Sequence, residues 1–135
     1  MNLLIAFATD DGNKYVDRHF GDADYYDIYE ISSNENKFIK RLNNTTKEDD
    51  EDVHADPKKA SSIVDLLKIE KVQVVISKVF GPNIKRIKKK FVCGLFNNQQ
   101  ISDSIKVIQK NINIFIDEWE KGETRNHINM KKISE

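Results

Sequence analysis

The sequence predicts a single α/β domain, built as a mixed sheet with helices on its faces. Three observations predict it: an unbroken apolar run over residues 3–8, two strand-like segments joined by a short polar turn, and then an alternation of helical and strand patterns. The chain has 135 residues, enough for one ordinary domain. We expect this domain to span residues 1–122 and residues 123–135 to form a polar C-terminal tail.

The first half of the chain contains three expected strands. Residues 3–8 form a short apolar run that stops at turn residues, which is typical of a central strand buried on both faces. Residues 25–31 are rich in aromatic side chains and alternate in part, so they predict a second strand. Residues 37–42 follow after a turn of Ser and Asn, and the two segments together predict an antiparallel hairpin.

The second half alternates helix and strand. Asp56-Pro57 is expected to begin the first helix, because Asp is a good N-cap and Pro is favoured at the first helical position. Strands are expected at residues 72–76 and 91–93, which gives five in all, with a second helix beginning at Gly81-Pro82 between them. A long amphipathic helix is expected last, closed by Gly122 and buried through Ile105, Ile108, Ile112, Phe115 and Trp119.

Composition excludes several classes of protein. The 22 basic and 22 acidic residues balance, so no overall field selects nucleic acid or a membrane surface. The single cysteine, Cys93, rules out an internal disulfide framework and is typical of a reducing compartment. No apolar run is long enough to span a bilayer, and the first residues lack a signal-peptide pattern. We therefore expect a cytoplasmic protein.

Two charged runs stand out from this balance. The acidic run at residues 48–52 is interpreted as a solvated connection, because adjacent carboxylates rarely converge on one ion; a cation-binding or partner-binding loop is the alternative. The basic run at residues 85–90 is interpreted as the solvated face of the second helix. A nucleic-acid interface is disfavoured, because no aromatic side chains interleave with these basic residues.

Two loops should form a binding cleft. In open α/β sheets, ligands lie beyond the carboxyl ends of the strands, near the switch point in strand order. Residues 9–21 leave the first strand, and residues 77–82 leave the fourth strand and enter a helix. Backbone N–H groups at a helix start favour an anionic ligand, and Arg18 and Lys78 are the candidate counter-charges.

These loops carry a family resemblance. Residues 5–12 (Ile-Ala-Phe-Ala-Thr-Asp-Asp-Gly), 19–23 (His-Phe-Gly-Asp-Ala) and 26–30 (Tyr-Asp-Ile-Tyr-Glu) resemble the dinitrogenase iron–molybdenum cofactor biosynthesis family. A weaker second signature is the strand at residues 72–76 followed by Gly81-Pro82. The resemblance extends from Leu3 to about Gly122, and the sequence departs from it at residues 78–80, where relatives often have an extra glycine.

The resemblance implies a ribonuclease H-like fold, with a five-stranded mixed sheet between helices in three layers. It implies a non-catalytic carrier of an iron–sulfur or iron–molybdenum cluster, or of its precursor, in metallocofactor assembly. The preformed cluster would be its ligand, and a cluster donor or acceptor protein a further partner. His19 is implied as the metal ligand. The residues expected to contact the cofactor are Asp10, Gly12, Arg18, His19, Phe20, Gly21 and Gly81.

The residues themselves are compatible with this assignment. Imidazole suits iron, and one histidine can supply one ligand to a preassembled cluster. A cluster built by the chain alone would want four cysteines, so with Cys93 alone the cluster must arrive preformed or be shared between subunits. A hydrogen bond to a backbone carbonyl is the alternative role for His19. We expect Cys93 to be an inert buried thiol, with contact to a ligand as the alternative.

Two other functions compete with the carrier. A ribonuclease H-type nuclease would need several carboxylates converging on two metal ions, but the first strand is apolar and the fourth ends in Ser77-Lys78. A metal-free regulatory module that binds a small anion or a protein stays open. Asp10 and Asp11 are candidates to orient the imidazole of His19, whereas His54 and His127 are expected outside the site.

Overall fold

A six-stranded sheet, in the order β3-β2-β1-β4-β5-β6, forms the middle of the molecule. The structure is a computed structural model and describes residues 1–45, 57–97 and 100–131. The strands are β1 (Leu3–Thr9), β2 (Tyr25–Ile31), β3 (Asn36–Asn43), β4 (Val74–Ser77), β5 (Val92–Leu95) and β6 (Ile128–Asn129). The helices are α1 (Pro57–Ile69), α2 (Ile84–Ile87), α3 (Ile101–Lys110) and α4 (Ile112–Glu120).

The first strand is central, as the sequence predicts. β1 pairs antiparallel with β2 on one side and parallel with β4 on the other. Alternate side chains of a strand point to opposite faces. Leu3, Ile5 and Phe7 therefore enter one hydrophobic core, while Ala6 and Ala8 enter the other. This two-sided burial explains why the apolar run of β1 is unbroken.

The helices lie in two layers, one on each face of the sheet. The core that contains Phe7 is covered by α3 and α4, through buried residues such as Ile108 and Phe115. The core that contains Ala6 is covered by α1 and α2, through buried residues such as Leu67 and Ile87. The predicted three-layer, ribonuclease H-like α/β fold, with a hairpin followed by βα units, is confirmed.

The sheet has six strands rather than the expected five. The sixth, β6, pairs parallel with β5 and lies in the segment that the sequence assigns to the tail. Ile128 and Met130 are buried there, two residues apart, so a single face of this short strand covers the core. Arg125 fixes the segment further, because its guanidinium donates to the carbonyls of Trp119 and Lys89. The domain boundary at residue 122 stays a prediction.

Two helices differ from expectation. The helix predicted from Gly81-Pro82 is a single turn, α2, which begins only at Ile84. The long last helix is two helices, α3 and α4, interrupted at Asn111. The amide of Asn111 donates to the carbonyl of Val107, and such a side-chain bond competes with regular helix formation.

The ends of the helices agree in part with the sequence. Gly122 has a φ of 63° directly after the last residues of α4, as expected for a glycine that follows a helix. The expected N-cap Asp56 lies outside the described residues. None of the helices in the described ranges combines the length and apolar character needed to cross a membrane.

Candidate functional site

The two loops expected to form the cleft are joined directly. The loop after β1 and the loop after β4 form a parallel bridge between His19 and Val79, and the N–H of Phe20 donates to the carbonyl of Val79 at 2.7 Å. Lys78 adds an ion pair with Asp17. Residues 78–80, where the sequence departs from the family pattern, therefore connect the two loops.

The imidazole of His19 packs against Gly81. A Cβ built on Gly81 would stand 2.6 Å from Nδ1 of His19 and 2.8 Å from Cγ and Cε1, so the ring occupies the space that a side chain at position 81 would need. Gly81 also has a φ of 77°, a conformation that residues with a Cβ rarely adopt. Glycine is required here for both reasons, and His19 stays half-buried beside it.

Phe20 anchors the loop in the core. Its ring is fully buried and lies 5.1 Å from Phe80 and 5.0 Å from Tyr26, measured between ring centroids. The hydroxyl of Tyr26 donates to the carbonyl of Phe20 at 2.8 Å, and burial raises the pKa of Tyr26, so the phenol keeps its proton. Gly21 follows, with its carbonyl accepting from the amide of Asn44 at 2.9 Å. Phe20 thus holds the loop in place by packing in the core.

The Thr-Asp-Asp-Gly segment shapes its own backbone. The hydroxyl of Thr9 donates to the carbonyl of Lys14 and accepts from the N–H of Gly12. One carboxylate oxygen of Asp11 accepts from the N–H groups of Asn13 and Lys14, at 2.8 and 3.0 Å. These backbone hydrogen bonds lower the pKa of Asp11. Asp11 is therefore occupied in the turn rather than in orienting the imidazole.

Asp10 organises the other side of this loop. Its carboxylate accepts from the guanidinium of Arg18 at 2.7 Å and from the N–H of Asp24 at 2.8 Å. Arg18 also donates to the carbonyl of Asp22. The two expected counter-charges, Arg18 and Lys78, are thus each paired with a carboxylate of the loop after β1. The net charge that they offer to an anionic ligand is close to zero.

The expected helix dipole is also missing from this cleft. α2 has four residues and begins three residues after Gly81, so it cannot present a row of free N–H groups beside His19. A macrodipole needs several aligned peptide units, and one turn does not supply them. The idea that a helix start attracts the ligand was therefore wrong, and the cleft depends on the geometry of its loops.

An ion pair between the buried carboxylate of Asp27 and the exposed Arg41 lies beside the glycine of the Thr-Asp-Asp-Gly segment, and the sequence did not predict it. Asp27, which is 3% exposed, receives two hydrogen bonds from Arg41, at 2.7 and 3.1 Å. These bonds raise the pKa of Arg41, whose guanidinium also lies 4.5 Å from the ring centroid of Tyr25. A Cβ on Gly12 would stand 2.6 Å from this guanidinium. The opposed positions of Asp27 and Arg41 in the hairpin could have revealed the pair, had the register been known.

Cys93 lies in the core, away from the cleft. It is fully buried in the cluster beneath α1 and α2, and burial raises the pKa of its thiol, which favours the protonated form over a metal-binding thiolate. His127 is exposed near β6, and His54 lies outside the described residues. Within the ranges that the structure describes, no three His, Cys, Asp or Glu side chains converge as a metal site. Of the expected metal ligands, His19 is the one at the cleft.

The fold is that of a ribonuclease H-like α/β protein, and the loops after β1 and β4 meet at the carboxyl ends of these strands. Its family follows from comparison with known proteins. The chain belongs to the dinitrogenase iron–molybdenum cofactor family, whose model matches residues 1–116. This membership confirms the resemblance on which the sequence analysis relied.

Solved structures support the fold. The chain is similar to a protein from Methanocaldococcus jannaschii that carries the provisional name dinitrogenase, with 23% identity and a TM-score of 0.58. The similarity covers 82% of this chain and 91% of the chain in that crystal structure. An NMR structure of the protein, assigned to Methanococcus jannaschii, has the same identity of 23% and the same TM-score of 0.58, and the similarity covers 83% of this chain and 91% of that one. At this identity the likeness shows the fold alone. A search of the curated proteins finds no match.

Proposed function

We propose that the protein is a carrier of a preformed iron–sulfur or iron–molybdenum cluster, or of its precursor. The cluster is its cargo, and the protein has no catalytic role in this proposal. Family membership gives the class of cargo. The observation that carries the proposal is the position of His19, whose imidazole lies on Gly81 where the loops after β1 and β4 meet.

The packing of His19 favours a role as a ligand. Nδ1 is buried against Gly81, so Nε2 is the ring nitrogen that would ligate a metal atom of the cargo. The loop that holds the ring is fixed by Phe20 in the core and by its backbone bond to Val79. A ligand held by a rigid surrounding loses less entropy on binding.

A single imidazole suits transfer better than permanent storage. The described part of the chain supplies one candidate ligand, and the cluster would keep its other ligands from elsewhere. Arg18 and Lys78 are neutralised by Asp10 and Asp17, so ligation rather than charge should provide most of the affinity. We therefore expect the affinity for the cluster to change little with salt concentration, because screening acts on unpaired charge. A metal-free module for small anions would show the opposite behaviour.

The test is an anaerobic titration of the metal-free protein with isolated iron–molybdenum cofactor, followed by gel filtration and absorption spectroscopy. His19→Ala should weaken retention of the cofactor by about tenfold or more, since even the loss of an outer-shell partner of a metal ligand costs that much. His127→Ala is the matched control, because it removes an exposed histidine far from the cleft. Circular dichroism of each variant verifies the fold.

Three results would contradict the proposal. Equal retention by wild type and His19→Ala would remove His19 from the site. Equal losses in His19→Ala and His127→Ala would show nonspecific capture by histidine. A wild-type protein that retains no cofactor would reject the carrier and favour the metal-free regulatory module.

A further inference from the structure

A groove of about 480 Å³ lies at the opposite end of the sheet from His19. It opens where β1 and β4 begin, and the seven residues of β1 place it roughly 20 Å from the carboxyl ends of the strands. Its volume falls within the range of small-molecule sites, about 300–1,000 Å³. The walls are formed by Asn2, Leu4, Glu30, Lys68, Lys71, Val72, Gln73, Lys90, Phe91 and Trp119.

Three lysines give this groove its charge. Lys68 lies in the last turn of α1, Lys71 in the turn that follows, and Lys90 just before β5, so two separate stretches of chain bring them together. None of the three has an ion-pair partner among the described residues. Glu30 is the one carboxylate in the wall. The groove therefore presents uncompensated positive charge.

These lysines are not needed to cap α1. The last carbonyls of the helix are already bonded by backbone, since the N–H of Val72 donates to Leu67 and the N–H of Lys71 donates to Lys68. Lys71 has a φ of 61°, and among the described residues it is the one position with positive φ that is not glycine. This left-handed conformation closes the C-terminal cap of α1, and the cap uses the backbone of Lys71 and not its side chain.

The rest of the wall offers aromatic and amide groups. Trp119 is half-buried, and the guanidinium of Arg125 lies 4.3 Å from its ring centroid, which holds the indole in place. Phe91 also lines the groove but is buried in the core, so Trp119 is the aromatic side chain of the wall with exposed surface. The Oε1 of Gln73 accepts from the N–H of Leu4, and its Nε2 makes no hydrogen bond within the described part of the chain. A planar ring with polar edges could pack against the indole of Trp119 and accept a hydrogen bond from Nε2 of Gln73.

We propose that this groove binds a nucleoside diphosphate, with its phosphates on the lysines and its base beside Trp119. Three lysines against one carboxylate suit a ligand with two phosphates. Because the indole of Trp119 lines the groove, a phosphate ligand that carries a ring should bind more tightly than inorganic phosphate or pyrophosphate. The site is separate from the cluster cleft and does not depend on cluster binding.

The experiment uses the metal-free full chain and ADP. Trp119 is the single tryptophan of the sequence, so its fluorescence reports directly on the groove, and calorimetry gives an independent affinity. We expect a saturable response to ADP. Lys71→Gly and Lys90→Gln should each weaken ADP roughly tenfold, because a hydrogen bond to a charged group contributes about that much. Glycine suits the backbone of position 71, so this variant keeps its fold.

Controls separate the charge from the ring. Lys110→Gln removes an exposed lysine on α3 outside the groove and should leave the affinity for ADP unchanged. Adenosine and pyrophosphate should each bind more weakly than ADP. No saturable response of the wild type to ADP, or unchanged affinity in both groove variants, would overturn the proposal. Pyrophosphate binding as tightly as ADP would overturn the role of the aromatic wall.

Discussion

Arg18 and Lys78, at the carboxyl ends of β1 and β4, are each paired with a carboxylate, whereas three lysines at the amino ends have no ion-pair partner in the described part of the chain. The partners of Arg18 and Lys78 are Asp10 and Asp17, which both lie in the loop after β1. In the groove, the lysines face a single carboxylate. Binding at the cleft should thus depend on shape and ligation, and binding at the groove on charge. Salt should separate the two, because it weakens the second much more than the first.

Residues with positive φ differ in the same way between the two ends. At the carboxyl end they are Gly12 and Gly81, and the space beside each is filled by another side chain, that of Arg41 or His19. At the amino end the residue is Lys71. Glycine at the cleft lets side chains approach the backbone, whereas Lys71 takes the left-handed conformation that ends α1 although it carries a Cβ. The two ends therefore predict opposite effects of substitution.

The largest effect is expected for Gly81→Ala. The variant forces a Cβ into the left-handed region and against the imidazole of His19, so we expect a loss of about 1–3 kcal/mol in the free energy of unfolding. Denaturation with urea, followed by circular dichroism, measures the loss. The displaced ring should also weaken retention of the iron–molybdenum cofactor.

Gly122→Ala is the matched control for the strain alone. Gly122 also has a positive φ, of 63°, but a Cβ there would meet nothing within 4 Å. Gly81→Ala should therefore lower the free energy of unfolding more than Gly122→Ala does. The difference between the two losses should be smaller in a His19→Ala background, where the ring is absent. An equal cost in both backgrounds would show that the imidazole does not press on position 81.

A smaller effect of opposite sign is expected at the groove. Lys71→Gly relieves the left-handed strain but gives the unfolded chain more freedom, so we expect a net gain of roughly 0.5–1 kcal/mol in the free energy of unfolding. Lys71→Ala removes the same charge and keeps the Cβ, and it should bring no such gain. Urea denaturation of both variants checks this. If Lys71→Gly destabilised the protein, the argument that lysine is strained at this position would be wrong.

Much of the fold could be predicted because local patterns specify it. The apolar run of β1, the hairpin and the buried stripe of α3 and α4 follow from periodicity, and the structure bears them out. The short strand β6 could not be found in this way, because two residues in a polar segment carry no period. The break at Asn111 was missed because the apolar spacing continues across it.

The meeting of the two loops was predictable, whereas the electrostatics around them were less so. Motif and strand order together placed the loop of His19 beside Gly81, as observed. Sequence could not show that Arg18 and Lys78 would be neutralised, because ion pairs between loops depend on backbone geometry that no local pattern encodes. The groove could not be predicted from the sequence, for a related reason. Its lysines come from separate elements and converge only in the folded chain.

The smallest effect concerns the pH dependence of the turn after β1. Asp11 accepts hydrogen bonds from the N–H groups of Asn13 and Lys14, which hold its pKa below the usual value of 3.8. A carboxyl whose pKa is lower in the folded than in the unfolded state stabilises the fold above its unfolded pKa, and this contribution disappears as pH falls through the folded pKa. Asp11→Asn should therefore be less stable than wild type at neutral pH. The loss of stability should be smaller than the loss in Gly81→Ala.

The difference between wild type and Asp11→Asn should narrow once the pH falls below 3.8, because protonation of Asp11 then removes the charge that Asn lacks. Thermal unfolding across a pH series, monitored by circular dichroism, measures the difference. Asp117→Asn is the control, since Asp117 is an exposed carboxylate on α4 with no hydrogen bond in the described ranges. A gap between Asp11→Asn and wild type that stays constant with pH would show that the charge of Asp11 does not hold the turn. The shape of the cleft would then depend on Thr9 and the Gly12 backbone, with no electrostatic contribution from Asp11.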